Sequence, residues 1–480
     1  MFNTKYMTVF GLTLMALTVP SLTAKAGGCF STTPEGKCVK WEQGKDIIWN
    51  YDAGPLKGPP EEASPTNPGS TGGASGCQLS KNLDVSNADG VALIERSFKR
   101  WTDIPTASLS VVKGTTLLNG EDVNFTNIEK VYAGSFVFPK AANSEVDASG
   151  CYDSDPNTPC LNPIIFDHSG LITDAINGQC AHCKILGFAA ILPKTGSDPQ
   201  GTILDPVLHS SQAVVSGACL EPRVVDPVCG DCCPKGITID NIEGTMTHEL
   251  GHYLGLDHTM VNKDIYLDCN DDTGCSPDLL EKIPTMIGFF VPNMDFKTLH
   301  QDDISTFTTL YPKVGNGTCA ITGIAAQSGG TPQRGVEVVA RNEAMDKQVY
   351  AVATIAGAFN KRNSQGVITA SRTDTDGKNA VNCVNVAGNE CGRFLIDGLV
   401  PGSYTISLHD FDAFPGDGSN IGFVLEPLTP PFAAQPFILP DGTQLDGYPE
   451  ANSFNDKESA LTGVVCTAGT TKDVGTVKGN

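Results

Sequence analysis

The chain has 480 residues, with 54 acidic against 32 basic side chains and a formal net charge of -22. A chain of that length exceeds one compact core, so two or three units are expected. The charge disfavours nucleic acid and anionic membranes, which recruit Lys and Arg; it suits a soluble acidic surface and is compatible with calcium.

Residues 1–26 read as an export signal: Lys5 is the positive start, "MTVFGLTLMALTV" the apolar run, and "AKA" (Ala24 to Ala26) a small-residue cleavage site. The run is too short to span a bilayer, and no later segment reads as a membrane helix. The mature, secreted chain is expected to begin near Gly27. Its 17 cysteines predict a disulfide framework in an oxidising compartment, with one thiol left over. "AGGC" before Cys29 has the outline of a lipid-attachment site, but Ala26 stands where a larger apolar residue is expected.

Residues from 27 to about 80 are Gly/Pro-rich around "GPLKGPPEEASPTNPGSTGG", a loop composition interrupted by one strand-like run, "DIIWNYD" (Asp46 to Asp52). "NADGVALIERSFKRWTDI" places Val91, Ile94, Phe98 and Trp101 on one helical stripe, with Asn87 or Asp89 as its cap. Then "ASLSVV", "YAGSFVF", "NPIIFD", "KILGFAAILP" and "SSQAVV" read as strands of a mixed sheet. "THELGHYLGLDHT" (Thr247 to Thr259) opens as a helix and is followed by a Cys-bracketed loop. "LHQDDISTFTTLYP" is a helix with carboxylates in its first turn, ended by Pro312. "KVGNGT" reads as a linker, and beyond it "CAITGIAA", "GVEVVAR", "GRFLIDGL" and "GSYTISLHD" alternate between turns in the manner of a β-sandwich.

The chemistry concentrates in the Thr247–Thr259 stretch. On a helix His248 and His252 share a face one turn apart, and two neutral imidazoles at that spacing can bind one zinc. Ile242, Met246, Leu250, Tyr253 and Leu254 form the opposite, apolar face. Ten further residues of helix would carry His258 roughly 15 Å along the axis. Gly255 can end the helix in a left-handed conformation and turn the chain back, making His258 a third ligand. Three protein ligands leave a fourth position for water, as in catalytic zinc sites, with Glu249 as general base and then proton donor to the leaving amine. Three histidines with no metal is the competing reading; it leaves the agreement of spacing, Glu249, Gly255 and apolar face to chance.

"HELGHYLGLDH" resembles the long zinc-binding consensus of the metzincin metallopeptidases. "PTMIGFF" looks like that family's methionine turn, with Met286 beneath the metal. Ile287 and Gly288 follow where astacin-like and serralysin-like members carry a tyrosine, which points to the matrixin branch. "LHQDDISTFTTLYP" is similar to the terminal helix of matrixin catalytic domains, and "ALIERSFKRWTDIPTASLSVV" to their first helix and following strand. The resemblance implies an α+β metzincin domain over residues 27–312, with a mixed twisted sheet, three helices and zinc in the cleft. It also implies that "KILGFAAILP" is the sheet edge where an extended peptide could pair; read alone, that segment could equally be a buried strand.

The sequence departs from the family at several points. "GKCVKW" around Cys38 does not match the pro-peptide cysteine motif and reads instead as a disulfide partner. His168, His182 and His209 do not reproduce the second, structural zinc motif, so no second zinc is expected there. "CAHC" (Cys180, Cys183) and "CGDCC" (Cys229, Cys232, Cys233) could be zinc-knuckle halves, but disulfides are the better reading of an exported chain. Calcium is possible at Asp153, Asp155 and Asn157, and at Asp268, Asn270 and Asp272, where oxygen side chains alternate.

Residues 318–480 resemble the carboxypeptidase regulatory-like domain, a transthyretin-like β-sandwich; "GLVPGSYT" is the most specific part, and an insertion with Cys383 and Cys391 separates the halves. The expected roles are a stabilising spacer or an attachment to substrate, matrix or cell surface. The whole reads as a secreted zinc endopeptidase acting on protein or peptide substrates. The alternatives are a surface binding or adhesion protein with a subsidiary protease fold, and a selective processing protease for one partner.

Overall fold

The computed structural model describes residues 28–30, 38–57, 85–133, 160–177, 185–193, 206–220, 237–259, 277–288, 295–326, 336–356, 392–410 and 461–478, with short stretches between them. The export signal, both calcium candidates and the Cys229–Cys233 and Cys383–Cys391 segments lie outside the described residues or, for Gly230 and Asp231, only touch them.

Five of the expected strands build one mixed sheet: β1 (Asp46–Tyr51), β2 (Ser110–Thr116), β3 (Pro163–Asp167), β4 (Gly187–Pro193) and β5 (Leu208–Ser216), in the order β2-β1-β3-β5-β4. The first four in that order run parallel, and β4 closes the sheet antiparallel to β5, from Gly187 opposite Val215 to Leu192 opposite Ser210. Among the described residues no strand pairs with the outer edge of β4. The central strand β3 is buried at every position because it is covered on both faces. Ile164 and Phe166 enter the core beneath the helices, while Ile165 joins Leu117, Val123, Ile128, Ile172 and Val214 on the other face. "YAGSFVF" yields only two-residue strands, Tyr132–Ala133 and Phe138–Pro139. Pro139 lacks the N–H that would extend that ladder.

Helix α1 (Asn87–Thr102) packs across α2 (Ile239–Tyr253), and Trp101, wholly buried, donates its indole N–H to Thr247 O at 2.9 Å. Glu243 of α2 meets Arg96 at 2.7 Å and also Arg100. The α1 cap is Ser86, whose hydroxyl accepts the Asp89 N–H, and not Asn87 or Asp89. Asn87 is otherwise engaged, donating to Asp52 O at 2.7 Å and Gly54 O at 2.6 Å and so pinning the helix start to the end of β1. Helix α3 (Gln301–Leu310) brings Phe307 to Trp101 and Tyr311 to the end of α2. No helix among the described residues is long and apolar enough to cross a membrane.

Most of the described C-terminal strands form two facing sheets, as their alternation predicts. One holds β9 (Arg393–Leu399), β6 (Cys319–Ala326) and β12 (Thr471–Lys478) in that order. The other holds β8 (Ala351–Ile355), β7 (Val336–Asn342), β10 (Gly402–Asp410) and β11 (Leu461–Cys466). Ile321, Ala325, Val338, Phe394, Ile396, Tyr404 and Ile406 fill the space between them. The Cys319–Cys466 disulfide joins the sheets. Among the described residues the chain is thus α+β in its first part and built of strands in its second.

Candidate metal centre

Helix α2 begins with Thr238, which accepts the Asn241 N–H while the Asn241 side chain returns to the Thr238 N–H, a reciprocal cap. It ends where expected, at Gly255, with φ +95°. The Leu256 N–H reaches back to Gly251 O at 3.0 Å and the Gly255 N–H to His252 O at 2.8 Å, the paired bonds of a Schellman ending. Two remaining carbonyls are taken by side chains: Trp41 Nε1 donates to Tyr253 O at 3.0 Å, and Tyr311 Oη to Leu254 O at 2.6 Å. The apolar face is buried as its spacing requires, with Ile242, Met246, Leu250, Tyr253 and Leu254 all in the core.

The turn at Gly255 brings His258 back to the helix. Its Nε2 lies 3.1 Å from Nε2 of His248 and 2.9 Å from Nε2 of His252. Nδ1 of His248 faces Thr285 O at 2.6 Å, and Nδ1 of His252 faces Leu256 O at 2.7 Å. A carbonyl can only accept, so each Nδ1 carries the hydrogen and each Nε2 presents a lone pair. Lone pairs gathered around one point, oriented through the opposite ring nitrogen, are what a cation requires and what hydrogen bonds alone would not assemble. Burial pushes the His248 and His252 imidazoles down, to about 4 and about 3, so both stay neutral at ordinary pH. The residues therefore fit a metal ion. Among the described residues, this triad is the only set of three His, Cys, Asp or Glu side chains whose ligand atoms gather so closely.

Glu249 is buried, and burial pushes its carboxyl up to about 8. Its side chain lies toward β4, where Gly187 leaves room: a Cβ there would stand 2.8 Å from Glu249 Cγ. Met286 is buried under α2 against Gly251, whose missing side chain also admits the Trp101 ring. Thr285 and Met286 are held by Asp303 of α3, which accepts both their N–H groups at 3.0 Å and that of His300 at 2.8 Å. The acidic first turn of α3 is legible in the sequence as helix-dipole chemistry; that it anchors the Thr285–Met286 backbone is not.

A further contact was hidden in the N-terminal segment. Gly28–Phe30 lies along Gly255–Asp257 as a short antiparallel bridge, with the Phe30 N–H on Gly255 O at 2.7 Å and the Asp257 N–H on Gly28 O at 2.9 Å. The Phe30 ring meets His252 edge-on at 5.3 Å between centroids. Cys29 is bonded to Cys38, as expected for Cys38, which removes the lipid-attachment reading of Cys29. Lys40, two residues on, pairs with Val207 at the start of β5. Residues 28–30 therefore form a strap along the turn between the second and third histidines. His182, buried, faces the half-buried Asp174 at 2.7 Å and is not part of the triad.

No protein-family model matches the chain, and no curated protein matches it. The resemblance to metzincins rests on the sequence motifs quoted above.

Proposed function

We propose that the chain is a secreted, zinc-dependent endopeptidase of the matrixin type. The observation that carries this reading is the convergence of three imidazole Nε2 atoms on one point, with Glu249 on the same helical turn. His248, His252 and His258 would hold the ion. Zinc bound there supplies Lewis acidity, polarising a peptide carbonyl and making water acidic. Glu249 takes the proton of the attacking water and delivers it to the leaving amine. The outer edge of β4 offers a backbone ladder to an extended peptide, and Gly187 at its start keeps Glu249 close to that edge. Disulfide-bonded Cys29, Cys38, Cys160, Cys219, Cys319 and Cys466 fit an oxidising, extracytoplasmic location.

The test is to purify the mature chain, measure its zinc, and follow cleavage of a mixed peptide library with and without a chelator. Glu249→Gln is expected to keep zinc and lose about a hundred- to ten-thousand-fold in cleavage rate. A zinc-loaded wild type that cuts no peptide, or a variant that cuts as fast as wild type, would sink the enzyme reading and favour a binding protein.

A further inference from the structure

The loop that returns His258 to the helix runs straight into the C-terminal sandwich. Thr259, the next residue, is wholly buried. Its N–H donates to Met286 O at 2.8 Å, its hydroxyl oxygen accepts the Val261 N–H at 3.1 Å, and the hydroxyl stands against the Asp302 carboxyl group of α3. Asp302 is shared: its Oδ1 accepts the N–H of Ala353, in strand β8 of the sandwich, at 2.8 Å. One buried carboxyl group thus lies between the residue beside the third histidine and the backbone of the second domain, to which it is hydrogen-bonded.

The surrounding contacts have the same direction. Val261 is buried in a cluster with Val339, Ala351 and Ala353, so the loop shares a core with the β7–β8 face. Asn262, in the left-handed region at φ +61°, donates to Lys282 O at 2.7 Å and to Gln348 O at 2.9 Å. Arg341 of β7 donates to Asn262 Oδ1 at 3.1 Å. Ser305 of α3 donates to Gly398 O of β9 at 3.1 Å. A spacer domain needs a linker and a polar rim. A buried apolar cluster flanked by hydrogen-bonded polar groups joins the two parts at this point.

We infer that the C-terminal sandwich is a working part of the metal centre, with Thr259 and Asp302 as positioning residues that tie His258 to strand β8 and so set the affinity of the site for zinc. This rests on the metal reading of the triad. Outer partners that fix a ligand's orientation typically change metal affinity by about ten- to a hundredfold, and Thr259 acts on His258 through the adjoining peptide.

Two substitutions in the full mature chain test it. Thr259→Val keeps the shape and removes the hydroxyl; Thr259→Ser restores it. Ala353→Pro removes the N–H aimed at Asp302, at the cost of an added ring, on an edge strand where proline is tolerated. Zinc affinity is measured by competition with a chromophoric chelator, ligand geometry by the visible spectrum of the cobalt-loaded protein, and folding by circular dichroism. The expected result is zinc binding weakened about tenfold or more in Thr259→Val and Ala353→Pro, with an altered cobalt spectrum and recovery in Thr259→Ser. Folded Thr259→Val with wild-type affinity and spectrum overturns the inference, whatever Ala353→Pro does. A Thr259→Val chain that does not fold leaves the decision to Ala353→Pro on the same readouts, and if neither folds while Thr259→Ser binds no better than they do, the coupling is merely structural and the inference falls. Wild-type protein that binds no zinc fails the metal reading itself, a separate outcome.

Discussion

Gly251 and Gly187 act by what they lack. At Gly251 the missing side chain admits Met286 and Trp101 against the helix carrying the histidines; at Gly187 it admits the Glu249 side chain against β4. Away from the triad, Asp52 shows how much a single buried carboxyl can determine. It accepts N–H groups from Gly54 and Val123 at 2.9 Å and from Phe166 at 3.2 Å, joining the end of β1 to its neighbours. Burial outweighs those donors and pushes its carboxyl up to about 7. The native state therefore holds this proton more tightly than the unfolded chain, whose aspartates titrate at about 3.9. Its stabilising contribution is complete below that unfolded value and is lost as pH rises through about 7. Every tenfold by which folding tightens the hold on the proton corresponds to about 1.4 kcal/mol. Asp52→Asn, which cannot ionise, should lower stability at acid pH through the lost acceptor and flatten the decline of Tm between about pH 4 and about pH 7. A variant whose Tm falls with pH as steeply as wild type would show that Asp52 does not carry the effect.

At the scale of elements, the site is made by the end of one helix. Helix α2 supplies two ligands and Glu249, but only its Schellman ending at Gly255 turns His258 back toward them. The ending is enclosed: a Cβ on Gly255 would stand 3.3 Å from Val39 O, with Phe30 bonded to the Gly255 carbonyl. Gly255→Ala should therefore destabilise the metal-free chain by about 1–2 kcal/mol, the usual cost of a left-handed non-glycine residue, and weaken zinc binding as well. Urea denaturation of the chelated protein measures the first, and an unchanged midpoint would contradict the assigned turn. The turn is legible in the sequence because the glycine sits between ligands that a continuing helix would separate. The strap at Gly28–Phe30 is not, because three residues of backbone pairing leave no periodicity.

For the whole molecule, the question is whether the sandwich is carried or integrated. Its sheets are joined by Cys319–Cys466, which closes a loop across a sequence separation of 147, and its β7–β8 face buries the residues following His258. A crosslink over so long a loop restrains the unfolded chain strongly, and removing a native disulfide typically costs about 2–5 kcal/mol. The paired substitution Cys319→Ala with Cys466→Ala is expected to lower the melting temperature of the full chain. Because the domains share a core, unfolding of the sandwich and zinc release should shift together in calorimetry and a metal-release assay. Sandwich melting that shifts while zinc release stays at its wild-type temperature would show two independent bodies.

The sequence alone determined the local features: helical stripes, strand alternation, the spacing of His248 and His252, the turn at Gly255, and the fit of Met286 to a motif. Each depends on neighbours within about one turn or one strand, where period and φ preference operate. Tertiary structure decided which carbonyls orient the imidazoles, that Asp303 holds the Thr285–Met286 backbone, that Gly187 and Gly251 are points of close approach, and that Asp302 accepts from Ala353 of the second domain. Most of those relations join residues from different elements, and they depend on how the elements dock. Hydrogen bonding and packing are short-ranged in space and indifferent to sequence distance, so the partners of a buried polar group become visible only when the chain is folded.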